Sequence, residues 1–196
     1  MKHLPNALTI LRVVLTPVVL VGVWRGGFAW HLVAAVAFIV AAISDYWDGH
    51  FARLHATASR FGQFLDPLAD KILVLGTFAV LAHVRPEVVP WWAVVLIAIR
   101  DIGVTVLRSV VEARGHSLRT LPMAKTKTAL QLTFLIAVLV FMTVEHGIGI
   151  DGVVGMLAVA AGWLLTSPIV FLLLMALVAV TVGTGMLYVV QPQYNR

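Results

Sequence analysis

The sequence contains no cysteine and little charge of either sign. Only 12% of its 196 residues are Asp, Glu, Lys or Arg, whereas 61% are hydrophobic. The absence of cysteine excludes disulfide bonds, thiolate catalysis and zinc-thiolate sites. A mean hydropathy of +0.99 reflects more apolar surface than a soluble domain of this length can cover, so the composition indicates an integral membrane protein.

Six apolar segments are long enough, at about 20 residues, to cross a bilayer. They are residues 8–24, 30–47, 64–83, 91–111, 129–145 and 168–190. A seventh segment, 152–165, is short and rich in glycine, which favours a re-entrant or interfacial position. The residues after Pro5 favour an amphipathic start to the first helix. We therefore predict one all-α integral membrane domain over residues 1–196, with six transmembrane helices and a short N-terminal interfacial helix.

Most lysines and arginines lie at the two termini or in the second and fourth connections between these segments, whereas the first and third connections contain only Arg25 and Arg85. The positive-inside rule then places both termini in the cytoplasm, as expected for a multi-pass protein of a bacterial inner membrane. The formal net charge of +5 comes from residues that flank spans. Anionic lipid head groups or a phosphorylated substrate, rather than nucleic acid, are therefore the expected partners.

Four aspartates lie close together in this apolar chain: Asp45, Asp48, Asp66 and Asp70. Each would cost roughly 2.5–3.5 kcal/mol if it faced lipid at mid-bilayer, so the set is expected to line a polar cavity. Any one of them could cap a helix or pair with a neighbouring cation, but two nearby cations cannot neutralise all four. Carboxylates without His or Cys suit Mg²⁺ or Mn²⁺. Two such ions would form a clamp for phosphoryl chemistry. This site is expected on the cytoplasmic side of the membrane, as are both termini.

Small residues and an arginine accompany the aspartates. Gly49 and Gly62 have no Cβ, so backbone and ligand can approach closely there. Arg53 offers a two-pronged donor to a phosphate.

The run Asp45-x2-Asp48-Gly49-x2-Ala52-Arg53-x8-Gly62-x3-Asp66-x3-Asp70 resembles the signature of the CDP-alcohol phosphotransferase family, with every fixed position present. The resemblance implies a six-helix membrane fold, usually a homodimer, in which the aspartates hold two divalent ions on the pyrophosphate of a CDP-linked donor. It also implies that Gly49, Ala52, Arg53 and Gly62 bind the nucleotide and pyrophosphate of this donor, with the small residues Gly49 and Ala52 leaving room for the nucleotide. By the same resemblance, Asp70 takes the proton from the acceptor hydroxyl. That oxygen would attack the phosphorus farther from the cytidine and release CMP.

Residues outside the signature resemble the phosphatidylglycerophosphate synthase branch of the family. They are Pro5-Asn6-x-Leu8-Thr9-x2-Arg12, the residues around Asp66 and Asp70, the stretch from Arg100 to Arg108, and residues 124–131. This resemblance implies transfer of the phosphatidyl group from CDP-diacylglycerol to sn-glycerol 3-phosphate. Many members of that branch have Arg-Glu where this chain has Arg100-Asp101, and Arg-Asp is also familiar from cardiolipin synthases that use CDP-diacylglycerol. Phosphatidylglycerol is therefore an alternative acceptor.

A third hypothesis is a divalent-cation transporter that uses the intramembrane acids to bind its ion. The aspartates lie near one face of the membrane rather than at the midplane of broken helices. Transport also does not explain Gly49, Ala52 and Arg53. Enzymatic function is therefore favoured.

Glycerol 3-phosphate is a small dianion, and its pocket should present several cationic donors. The candidates are Arg60, Arg100, Arg108, Lys125 and Lys127. Arg100 and Asp101 lie within a span, where they form either a buried ion pair or part of the acceptor pocket. Lys125 and Lys127 either anchor the cytoplasmic end of a span or bind the acceptor phosphate. The seven histidines show no ligand spacing, and no chemistry is assigned to them.

Overall fold

The protein is described by a computed structural model that covers the backbone of residues 4–55, 60–113, 117–118, 122–146, 152–190 and 194–195, and the side chains of residues 10–44, 71–111, 126–146 and 152–187. Helices dominate this described part, as predicted. In chain order they are α1 (Leu4–Arg25), α2 (Phe28–His55), α3 (Arg60–Val84), α4 (Trp91–Ala113), α5 (Pro122–Glu145), α6 (Val153–Thr166) and α7 (Pro168–Val190).

Each of the six predicted segments forms a helix, but most of these helices are longer than the apolar runs that predicted them. α1 begins at Leu4, so the predicted interfacial segment and the first span form one continuous helix. α2 continues to His55, well beyond residue 47, and α5 begins at Pro122 rather than at residue 129. Hydropathy marks only the apolar part of a helix, whereas backbone hydrogen bonding continues through its polar ends.

The short segment near residues 152–165 is also helical. α6 has 14 residues and therefore spans about 21 Å, less than the roughly 30 Å thickness of a bilayer's hydrocarbon core. Ser167 separates α6 from α7, which begins at Pro168, a residue suited to the first turn of a helix because it needs no amide donor there.

Two helical segments in the described part of the chain have the length and hydropathy of a membrane span. They are Thr126–Glu145 in α5 and Pro168–Leu187 in α7. Shorter apolar stretches occur at Phe28–Ser44, Lys71–Val84 and Val153–Thr166. Large apolar side chains on the outside of the bundle are widely exposed, for example Ile99 and Trp163, as expected for surfaces that contact lipid.

The helices pack side by side in a bundle. α1 packs against α2 and α3, α5 packs against α2, α6 and α7, and α4 packs mainly against α7 and α3. α1 and α2 are joined by a tight turn in which Gly26 and Gly27 have φ of 68° and 85°, angles that glycine adopts without strain. The two helices approach so closely that a Cβ on Gly22 would lie 2.8 Å from the carbonyl oxygen of Trp30.

A two-residue β-ribbon connects distant parts of the chain. β1 (Ser117–Leu118) lies between α4 and α5, and β2 (Tyr194–Asn195) follows α7. The strands are antiparallel, with Ser117 opposite Asn195 and Leu118 opposite Tyr194. The sequence does not predict this ribbon, because two residues are too few to show an alternating pattern. It joins the α4–α5 connection to the end of the chain beyond α7.

Candidate functional site

The four aspartates lie on two helices whose adjoining ends are separated by only four residues in the sequence. Asp45 and Asp48 are about one turn apart on α2, and Asp66 and Asp70 are about one turn apart on α3. Their side chains lie outside the described part of the structure, as do those of the predicted nucleotide site: Gly49, Ala52, Arg53 and Gly62. As a donor set, four carboxylates fit Mg²⁺ or Mn²⁺. Their roles remain predictions.

The structure describes a second polar cluster, centred on the carboxylate of Asp101 in α4. The ammonium of Lys127, in α5, donates to both oxygens of this carboxylate at 2.7 and 2.6 Å. Gln131, one turn further along α5, contacts it more weakly at 3.4 Å. The side chains of Asp101 and Lys127 are only 7% and 6% exposed. Lys127 is thus held inside the bundle by an opposite charge.

Arg100 extends this cluster to α7. Its Nη1 donates to Asp101 at 3.2 Å, so the predicted buried ion pair is present. Its Nε donates to the backbone carbonyl of Thr181 at 3.0 Å, and its Nη2 donates to the hydroxyl of Thr184 at 3.0 Å. We call these residues of three helices (Arg100, Asp101, Lys127, Gln131, Thr181 and Thr184) the Asp101 network.

The Asp101 network carries more positive than negative charge. Arg100 and Lys127 contribute two positive charges and Asp101 contributes one negative charge, which leaves one positive charge among the described residues of this buried cluster. Lys71, on α3, is close enough to repel Lys127 electrostatically. A buried charge without compensation is costly. An anion bound beside the network would relieve that cost.

The network also has hydrogen-bond donors to spare. Arg100 has five N–H donors, of which three have partners among the described residues. Lys127 has three donors and directs two of them to Asp101. The remaining donors are suited to phosphate oxygens, which bind arginine and lysine through charge-assisted hydrogen bonds.

Three further residues are predicted to bind the acceptor: Arg60, Arg108 and Lys125. Arg108 lies about two turns beyond Arg100 on α4 and is partly buried. The side chains of Arg60 and Lys125 lie outside the described residues. The burial of Lys127 against Asp101 is unlike the solvated position of a lysine that only anchors a helix at the membrane surface.

Some residues of the network are not predicted from the sequence. Thr181 and Thr184 interrupt an apolar run one turn apart on α7, and this spacing is the only signal that they could share a polar neighbour. The sequence also does not predict that Gly185 contacts this network. A Cβ at this position would lie 2.6 Å from Cγ of Arg100, so only glycine leaves room for the arginine stem.

Replacing Gly185 by alanine should therefore displace the guanidinium of Arg100 from Thr184. If Arg100 binds the acceptor, the loss of one charge-assisted hydrogen bond is expected to raise the KM for that acceptor about tenfold. Gly183→Ala is a matched control on the same helix, because a Cβ there meets nothing within 4 Å. Steady-state kinetics of both variants test the prediction. Equal acceptor KM values for the two variants would contradict it.

Comparison with known proteins identifies the chain's relatives. The model of the family described as CDP-alcohol phosphatidyltransferase matches residues 2–190. A Mycobacterium tuberculosis protein named "Probable phosphatidylglycerophosphate synthase" is 43% identical over 116 residues, which are 58% of this chain and 54% of that protein. The match thus spans about half the length of the mycobacterial relative.

Two further relatives are matched over more of their length. Both are named CDP-diacylglycerol–glycerol-3-phosphate 3-phosphatidyltransferase. The Bacillus subtilis protein is 34% identical over 71% of this chain and 77% of its own length. The Cereibacter sphaeroides protein is 34% identical over 75% of this chain and 67% of its own length. Because the family model covers nearly all of the sequence, the chain belongs to the CDP-alcohol phosphatidyltransferase family.

Proposed function

We propose that this enzyme transfers the phosphatidyl group from CDP-diacylglycerol to sn-glycerol 3-phosphate, giving phosphatidylglycerophosphate and CMP. The observation that carries the choice of acceptor is the excess positive charge of the Asp101 network, buried between α4, α5 and α7. The names of the Bacillus and Cereibacter relatives support the same donor and acceptor.

The charge of the acceptor matches the charge of the network. Glycerol 3-phosphate carries about two negative charges near neutral pH, because the second pKa of a phosphate monoester is about 6. Among the described residues, Arg100 and Lys127 exceed Asp101 by one positive charge. A phosphodiester such as phosphatidylglycerol carries a single negative charge and two acyl chains. It would need fewer cations and a lateral opening to the bilayer.

The residues of this chain have distinct roles in the proposed reaction. Asp70 accepts the proton of the acceptor hydroxyl, whose oxygen then forms a bond to the phosphorus that bears the diacylglycerol. The bond from that phosphorus to the bridging pyrophosphate oxygen breaks, and CMP leaves with the bonding electrons. Gly49, Ala52, Arg53 and Gly62 bind the nucleotide and pyrophosphate. Arg60, Arg100, Arg108, Lys125 and Lys127 bind the acceptor.

The aspartates Asp45, Asp48, Asp66 and Asp70 would hold two divalent cations, Mg²⁺ or Mn²⁺. When bound, these ions offset the negative charge that develops on the departing phosphate. The proposal rests on an all-oxygen donor set on two helices whose adjoining ends are four residues apart in the sequence.

The proposed architecture is a single domain in a bacterial inner membrane, with six spans, both termini and the aspartates in the cytoplasm, and a homodimeric assembly. The first turns of α1 lie in the interface, and α6 is re-entrant or interfacial. Exposed tryptophans support this orientation: Trp24, Trp30, Trp91 and Trp92 are 63%, 41%, 50% and 46% exposed. They lie at the helix ends away from the aspartates, as in an aromatic belt at a membrane surface.

Removal of divalent metal should abolish activity. Purified protein given CDP-diacylglycerol and glycerol 3-phosphate is expected to release CMP, to stop when EDTA is added, and to recover when Mg²⁺ or Mn²⁺ exceeds the chelator. EDTA saturated with Mg²⁺ beforehand is the matched control and should have no effect. Undiminished CMP release after exhaustive chelation would overturn the proposed metal site.

A further inference from the structure

Arg12, on α1, is one of the largest side chains that are fully buried in the described part of the structure. Only 1% of its surface is exposed, so the side chain does not extend to water as arginines near a membrane surface usually do. An arginine keeps its positive charge in proteins, and a buried charge is costly unless an opposite charge lies close to it. Negative charge is therefore expected beside Arg12, inside the bundle.

Arg12 belongs to the face of α1 that packs into the bundle. This face contains the buried residues Arg12, Thr16, Val19 and Val23, whose spacings of four, three and four place them on one side of a helix. Val19 and Val23 are part of the hydrophobic core, whereas Val13, the residue after Arg12, is 50% exposed. α1 packs mainly against α2 and α3. The side chain of Arg12 is therefore enclosed by these helices.

The contact of Gly22 with α2 gives the level of Arg12 on that helix. A Cβ on Gly22 would lie 2.9 Å from Cβ of Ala34, so the two residues face each other across the interface. The helices run in opposite directions, because a two-residue turn joins them. Arg12 lies ten residues before Gly22, which is about 15 Å along the helix. The same distance beyond Ala34 ends at Ser44, which directly precedes Asp45.

Two other contacts give the direction of α1 relative to α3. A Cβ on Gly76 would lie 3.3 Å from Cδ2 of Leu20. About one turn further along α1, Trp24 stacks on His83 of α3, with ring centroids 5.1 Å apart. Later residues of α1 thus contact later residues of α3, so the two helices run in the same direction.

The parallel arrangement gives a second, independent level for Arg12. Eight residues before the contact between α1 and Gly76, about 12 Å along each helix, lie Arg12 on α1 and Leu68 on α3. Leu68 is midway between Asp66 and Asp70. The backbone positions of α2 and α3 therefore agree in placing Arg12 at the level of the proposed metal ligands.

We propose that Arg12 is a positioning residue of the aspartate site. Its guanidinium binds a carboxylate at its own level, from Asp45, Asp66 or Asp70, and holds that carboxylate in the orientation that a divalent ion requires. A guanidinium is a rigid, two-pronged donor that matches a carboxylate, and ligating carboxylates are commonly oriented by such hydrogen-bond donors. This inference rests on the proposed metal site and adds to it a residue that does not touch the ions.

Positioning and simple charge repulsion predict opposite effects of Arg12→Met on metal binding. A positive charge near the ions repels them, so if Arg12 acted only by its charge, its removal would tighten binding. If Arg12 instead holds a ligand in place, its removal weakens binding, by about 10- to 100-fold for a partner of this kind. The direction of the change therefore distinguishes the two roles.

Mn²⁺ binding by the full-length protein without substrates tests the inference, with free Mn²⁺ measured by electron paramagnetic resonance. The dissociation constant should rise about 10- to 100-fold in Arg12→Met. Arg12→Lys keeps the charge but loses the two-pronged geometry, so the constant should rise about fivefold. In assays of CMP release, the Mg²⁺ concentration for half-maximal activity should increase in the same order, whereas the KM for glycerol 3-phosphate should not change.

Thr16→Val is the matched control. Thr16 lies one turn from Arg12 on the same face, is 5% exposed, and donates to the backbone carbonyl of Arg12 at 2.8 Å. Its replacement alters the same buried region without altering its charge, so the Mn²⁺ affinity should stay the same. Thermal unfolding establishes which variants are folded, and Arg12→Lys provides the test if Arg12→Met does not fold.

Two results would overturn the role of Arg12. One is Mn²⁺ binding by the folded Arg12 variants that is as tight as in the unsubstituted protein, or tighter. The other is a folded Arg12→Met protein that binds Mn²⁺ normally but releases no CMP at any Mg²⁺ concentration, because this result would give Arg12 a direct role in the reaction. Absence of Mn²⁺ binding by the unsubstituted protein would instead overturn the proposed metal site itself.

Discussion

Replacing Asp70 by asparagine is expected to lower kcat for CMP release about a thousandfold. The substitution removes the proposed proton acceptor, a role that contributes typically 10²- to 10⁴-fold, and it also removes one charge from the proposed metal ligands. The two side chains have the same size, so the helix should form as before. Steady-state CMP release from CDP-diacylglycerol and glycerol 3-phosphate measures the effect.

The control for this variant is Glu87→Gln. Glu87 lies in the connection between α3 and α4, where it forms an exposed ion pair with Arg85, and its neutralisation should leave kcat unchanged. Thermal unfolding and CDP-diacylglycerol binding by the Asp70→Asn protein establish that it is folded. A kcat within tenfold of the unsubstituted enzyme would exclude Asp70 as the base.

Asp101→Leu is expected to destabilise the protein by about 3–5 kcal/mol, the cost of removing one partner from a buried ion pair. The reason is the position of Asp101 between two cations. Lys127 and Arg100 both bind its carboxylate, and their side chains are 6% and 10% exposed. Without Asp101, both positive charges remain buried with no opposite charge from the network.

Lys127→Met gives a matched comparison, because it removes a charge from the same network but leaves Asp101 paired with Arg100. It should therefore destabilise the protein less than Asp101→Leu does. The midpoints of thermal unfolding in detergent, measured side by side, rank the two variants. Destabilisation by Lys127→Met equal to or greater than that by Asp101→Leu would show that Asp101 is not the centre of the network.

The sequence predicts the helices well because apolar runs of about 20 residues leave few alternatives in a membrane. It predicts their ends poorly, as at His55 and Pro122, because polar residues continue a helix without changing its hydropathy signal. It also brings the four aspartates to attention, since carboxylates at spacings of three and four on neighbouring helices are visible in one short stretch, but their role as metal ligands stays a prediction. The sequence does not predict the ribbon of β1 and β2, because two residues are too few to show an alternating pattern.

Contacts between helices that are far apart in the sequence cannot be predicted from residue spacing. Arg100 meets Thr184 across 84 residues, and Lys127 meets Asp101 across 26. Only the tertiary packing of α4, α5 and α7 brings these residues together. In the sequence Lys127 is one of several basic residues near the start of α5, whereas in the structure it is buried against Asp101.

Glycerol 3-phosphate is the proposed acceptor. Its most direct test offers the purified protein CDP-diacylglycerol and Mg²⁺ with either glycerol 3-phosphate or phosphatidylglycerol, and identifies the lipid product by mass spectrometry while CMP is measured. We expect CMP and phosphatidylglycerophosphate in equal amounts with glycerol 3-phosphate, and neither CMP nor cardiolipin with phosphatidylglycerol. Formation of cardiolipin and CMP from phosphatidylglycerol, with no phosphatidylglycerophosphate from glycerol 3-phosphate, would show that glycerol 3-phosphate is not the acceptor.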